Sequence, residues 1–95
     1  GKGCVQVLVM SKEIERMKTM ILNDMDAGVT LLDGKSGFYG NETEVVLTIL
    51  PYRKLPDLKD KIKEIDEKAF IIVSHVEEVS GNGFTYSKEM REVLS

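Results

Sequence analysis

Ninety-five residues, 42% apolar and 31% charged, describe one globular domain: too apolar to stay disordered and too short for an elaborate buried active site. A net charge of −3 gives no general attraction to nucleic acid. One cysteine, Cys4, excludes an internal disulfide and fits a reducing compartment, and no run approaches the roughly 18 apolar residues of a membrane helix.

Val5 to Met10 is a valine-rich run that reads as a short buried strand. Ser11 follows as a helix N-cap, its hydroxyl able to accept from an orphan backbone N–H. Lys12 to about Met25 is then a predicted helix, with Ile14, Met17, Ile21 and Met25 at helical spacing as its buried stripe. Methionines can form an adaptable binding surface, but here they read first as core filler. Gly28 is the expected site of positive φ where the chain reverses.

Val29 to Leu32 is the second predicted strand and Glu44 to Leu50 the third, with Pro51 limiting how far the latter pairs. Between them, Asp33 to Thr43 reads either as an exposed hairpin loop or as a bulged extension of both strands. From Gly28 to Gly40 the sequence holds four glycines in thirteen residues, and Phe38 and Tyr39 at the tip are not needed to make a turn. Pro56 suits the first turn of a second helix, in which Leu58, Ile62 and Ile65 form the buried stripe and which ends near Asp66.

The basic residues Arg53, Lys54, Lys59, Lys61 and Lys63 are interleaved with Asp57, Asp60 and Glu64, as on a solvated helix face with i,i+4 pairs such as Asp57–Lys61. Ala69 to Val79 is the fourth predicted strand. Phe70, Ile72, Ser74 and Val76 point one way, and Ile71, Val73, His75 and Glu77 the other. Ser87 could cap a short tail helix carrying Met90, Val93 and Leu94 inward.

The order βαββαβ implies an α+β, ferredoxin-like two-layer sandwich, with both helices on one face of a four-stranded antiparallel sheet. Such a monomer should have one dry sheet face and one wet one. Yet strand three alternates Val45, Leu47 and Ile49 with Val46 and Leu50, and strand four is apolar on both sides. The helix-free face therefore carries apolar residues, which points to a homo-oligomer, or to the C-terminal tail, covering it.

Little chemistry is legible. His75 is the only histidine and has no nucleophile in a recognisable motif beside it, so a structural or interface role is expected and an enzyme is not. Cys4 and His75 fall short of the four Cys/His ligands of structural zinc, and no cofactor is expected. Gly34-Lys35-Ser36 lacks the upstream glycine and the following helix of a P-loop. As a nest of backbone N–H groups beside Lys35, the run Gly34, Lys35, Ser36, Gly37 could still hold a small anion, with Phe38 and Tyr39 stacking on a ring or on a neighbouring subunit.

The run Gly28-Val29-Thr30-Leu31-Leu32-Asp33-Gly34-Lys35, with its glycine-rich turn to Gly40, resembles the C-terminal soluble domain of YitT-type bacterial membrane proteins. Ile65-Asp66, Ala69-Phe70, Glu78-Val79 and Gly81-Asn82-Gly83-Phe84 continue the match in order, so that it spans roughly Val5 to Phe84. Ser36 stands where that family commonly has a second glycine, Lys54 where it has an acidic residue and His75 where it has an aspartate. The resemblance implies a cytoplasmic domain following membrane helices, and the start at Gly1 rather than methionine is expected of an excised piece. It also implies a fold similar to the PII signalling proteins, trimers that bind small effectors between subunits through the loop joining strands two and three. In this chain that slot is Asp33 to Thr43.

Overall fold

In the computed structural model, which describes residues 3–35 and 42–77, the chain runs β1 (Cys4–Met10), α1 (Ile14–Asp24), β2 (Thr30–Lys35), β3 (Glu42–Pro51), a 3₁₀ turn (Tyr52–Lys54), α2 (Leu55–Ile65) and β4 (Phe70–Val76). The sheet order is β2-β3-β1-β4, and all three pairings are antiparallel. This is the expected ferredoxin-like arrangement: each helix crosses between strands that are not neighbours, and β2 and β3 form the central hairpin. The expected tail helix lies outside the described residues.

The register fixes the two faces. Val5 pairs with Leu50 and His75, Val7 with Thr48 and Val73, and Val9 with Val46 and Ile71, so these residues share one side. Val5, Val7, Val9, Val46 and Leu50 are buried there with Met17 and Ile21 of α1 and Leu58 and Ile62 of α2. The helices thus cover the odd-numbered side of β1, and the methionines of α1 are core. Thr48 is the fully buried polar residue of this layer, and its Oγ1 donates to the Gly28 carbonyl at 2.8 Å.

Three local expectations are corrected. The helix begins at Ile14, and Ser11 does not cap it: its Oγ accepts the Glu13 N–H at 2.9 Å and donates to Asp66 Oδ2 at 2.7 Å. A serine hydroxyl can close an i→i+2 turn as readily as a helix end. Secondly, positive φ after α1 falls on Asp26 (49°), not on Gly28, so the reversal comes earlier. Aspartate tolerates this conformation better than most residues. Thirdly, both hairpin strands extend further than Leu32 and Glu44, to Lys35 and from Glu42, which is the extension expected as one of two readings but without its bulge. Their pairing continues through Asp33–Glu44, Gly34–Thr43 and Lys35–Glu42.

Candidate functional site: the β2–β3 ribbon and the open sheet face

The six residues singled out by sequence divide between two regions. Gly34 and Lys35 are the last residues of β2, whereas Ser36, Gly37, Phe38 and Tyr39 lie outside the described residues. Asp33, Gly34, Lys35, Glu42, Thr43 and Glu44 line an open concavity of about 670 Å³ at the ribbon's end. By register, Asp33 and Glu44 lie directly opposite on the helix side, and Lys35 lies opposite Glu42. Like charges opposite one another repel by a few tenths of a kcal/mol or more, on the order of 0.5 kcal/mol. One lysine against three carboxylates leaves this stem net negative, which does not favour an anion. A Cβ at Gly34 would meet Thr43 Cγ2 at 3.8 Å, an ordinary contact, so packing within the chain does not demand the glycine.

The other feature is the helix-free face. It carries Leu8 and Met10 of β1, Leu32 of β2, Val45, Leu47 and Ile49 of β3, and Phe70, Ile72 and Val76 of β4. Leu32 is 43% exposed, Ile72 42% and Phe70 60%. The apolar surface becomes most exposed towards β4.

His75 faces the helix side and stacks on Tyr52, with ring centroids 5.7 Å apart and an interplanar angle of 12°. That contact ties the end of β4 to the turn before α2, in keeping with the structural or interface role expected of His75, although the sequence pattern did not reveal Tyr52 as its partner. Lys54, in the same turn, donates through Nζ to the Met25 carbonyl at 3.1 Å and so supplies the cation that the last turn of α1 lacks. Asp66 is buried, and the Ser11 hydroxyl and then the Lys68 N–H hold its carboxyl below the usual aspartate range, aided by the charge of Lys12 and opposed by burial. Burial pushes the Cys4 thiol up, away from thiolate chemistry. Among the described residues no three His, Cys, Asp or Glu side chains are gathered to hold a metal.

The family model described as "Uncharacterized protein conserved in bacteria (DUF2179)" matches residues 27–81, from the end of α1 through the ribbon, α2 and β4. The chain belongs to the DUF2179 family. The UPF0750 membrane protein YpjC of Bacillus subtilis (strain 168) is 35% identical over 85 residues, 90% of this chain and 29% of its own length. The UPF0750 membrane protein YitT of the same organism is 29% identical over 63 residues, 66% of this chain and 22% of its own. The chain therefore corresponds to under a third of these membrane proteins, as the resemblance to the soluble domain of YitT-type proteins implied. A crystal structure of a DUF2179 protein from Eubacterium ventriosum superposes with a TM-score of 0.67 at 31% identity, covering 75% of this chain and 97% of that one. Among the described residues no helix is long and apolar enough to cross a membrane.

Proposed function

We propose that this DUF2179 domain is a regulatory, self-associating module of a bacterial membrane protein. It lies on the cytoplasmic face, where further copies cover its open sheet face and the β2–β3 ribbon meets a small ligand in the clefts between them. One observation carries the reading: an apolar sheet face with Phe70 60% exposed, on the side opposite the helices. Four strands about 4.8 Å apart and some six residues of roughly 3.3 Å rise make a face of roughly 400 Å². Patches of that extent are commonly functional. The Gly34–Tyr39 segment is the ligand-contacting element of this reading, and binding there would bias the assembly and, through it, the membrane part.

A second reading, favoured by the net negative ribbon stem, is an assembly module that takes no ligand. A thermal-shift screen against nucleotides, common metabolites and divalent metals separates the two. A ligand at 100 times its Kd stabilises a site by about 2.7 kcal/mol, on the order of ten degrees for a domain of this size. A hit that weakens in Lys35→Ala or Tyr39→Ala establishes the sensor. A flat screen with a stable oligomer by light scattering establishes the assembly module. A monomer at tens of micromolar overturns both.

A further inference from the structure

The β4 edge is as unusual as the open face. In the order β2-β3-β1-β4 it is one of the two free edges of the sheet among the described residues. The β2 edge carries Asp33 and Lys35, the kind of charge that keeps an edge from pairing. β4 has none of these protections: Phe70–Val76 contains no charge, no proline and no glycine over seven residues. The helix layer also stops short of it. Ile71 packs against the core, but Val73 is 36% exposed and His75 is exposed on the helix side, while Phe70 and Ile72 are exposed on the other. Both flanks of the edge are therefore open to an incoming strand.

We infer that the β4 edge pairs with the β4 edge of a second copy of this chain, antiparallel about a two-fold axis at Val73. This pairing deepens the self-association proposed above by adding a second contact between copies, one that does not depend on the open-face contact. The choice of partner rests on charge. The charged residue nearest the start of the strand is Lys68, and Glu77 follows its end. Antiparallel self-pairing brings Lys68 of one copy towards the partner's Glu77 at both ends, whereas parallel pairing would bring like charges together. Within the strand, Phe70 faces Val76, Ile71 faces His75, Ile72 faces Ser74 and Val73 faces its own copy, so no charge is desolvated. Alternate residues of an edge strand aim their N–H and C=O groups outward, and the pairing satisfies them.

The axis stands perpendicular to the sheet. Both helix layers therefore lie on one side of an eight-stranded sheet, and the two open faces join on the other. This also answers a shortfall in area. Two faces of roughly 400 Å² pressed together bury roughly 800 Å², below the range of a stable interface. Joining two faces first doubles the surface available to the next contact.

Multi-angle light scattering of the whole chain at tens of micromolar tests this, with Val73→Lys, Val73→Glu and their equimolar mixture. The wild type is expected at twice the 10.7 kDa chain mass or a higher even multiple. Each single variant places like charges opposite one another on the axis, and its mass should fall to half the wild-type value or below. The mixture places lysine opposite glutamate and should recover the wild-type mass, which also shows that the variants fold. A monomeric wild type overturns the inference, as does association unchanged in both variants or a mixture that stays at the mass of the single variants. Leu47→Lys, on the open face, separates the two ideas: it should cap the assembly at the β4-paired dimer. A monomeric Leu47→Lys overturns the edge pairing while leaving open-face assembly standing.

Discussion

At the scale of single residues, Asp26 through its backbone and Asp66 through its side chain shape the course of the chain around the helices. Asp26 takes φ 49° immediately after the C-cap of α1, and the Ala27 N–H then reaches back to the Ile21 carbonyl at 3.4 Å. A glycine would enter this conformation without a Cβ penalty, offset in part by its freer unfolded chain. Asp26→Gly should therefore stabilise the domain by less than about 1 kcal/mol, and a β-branched Asp26→Val should destabilise it by about 1 kcal/mol or more, read from urea midpoints. Asp66 ties the loop before β4 to the turn before α1 through Ser11 and Lys68. Because its carboxyl titrates below the ordinary aspartate range, the charged form is favoured by folding. That stability is complete above the ordinary aspartate pKa and is lost as the pH falls through that range to the depressed value in the fold. Asp66→Asn should flatten the melting temperature between about pH 2 and 5 relative to wild type, and Ser11→Ala should produce part of the same flattening. The sequence showed Ser11 as a polar residue at a strand–helix boundary, but not that its partner would stand 55 positions away.

The elements were legible because their periods are clear. Leu58 and Ile62 are buried at helical spacing, and α2 begins, as Pro56 indicated, with proline in its first turn. The strand ends were less so. Asp33, Gly34 and Lys35 have the composition of a loop, yet they remain paired because Thr43 and Glu42 continue the ladder opposite them. A cross-strand partner can override local propensity in this way. The candidate ligand segment was readable only as a glycine-rich run, since glycine permits many backbone paths and specifies none. Lys54 shows the same limit on a helix. Its position between a strand and α2 gave no hint that its Nζ would reach the C-terminus of α1. Lys54→Met keeps the aliphatic stem and removes the charge and the hydrogen bond, so it should cost about 1 kcal/mol by chemical denaturation. The strands had the opposite ambiguity. Their apolar residues alternate with other apolar residues, so the pattern established a second apolar face without saying which face the helices would take.

Across the whole molecule that choice is made by the packing of α1 and α2, and neighbouring residues of β3 therefore have opposite fates. Val46 is fully buried under the helices, while Leu47 lies half-buried on the open face. A shift of one residue along a strand exchanges core for surface. Truncation at the two positions should separate folding from assembly. Val46→Ala removes two methyl groups from a close-packed layer and should destabilise the chain by about 1–2 kcal/mol through lost transfer energy and a residual cavity. Leu47→Ser leaves no cavity in the helix-side core, so its cost to a dispersed monomer should stay below about 1 kcal/mol. If the open face is the contact between copies, the order reverses for association: Leu47→Ser weakens it strongly, and Val46→Ala does so only in proportion to unfolding. The measurement is a concentration series of melting temperatures. Association stabilises the folded state by mass action, so the wild-type melting temperature should rise with protein concentration. For Leu47→Ser that slope should be much reduced. For Val46→Ala the curve should move down with its slope intact. A wild-type melting temperature independent of concentration would mean that the apolar face is covered within the chain itself, and Leu47→Ser should then cost the isolated fold as much as a core substitution.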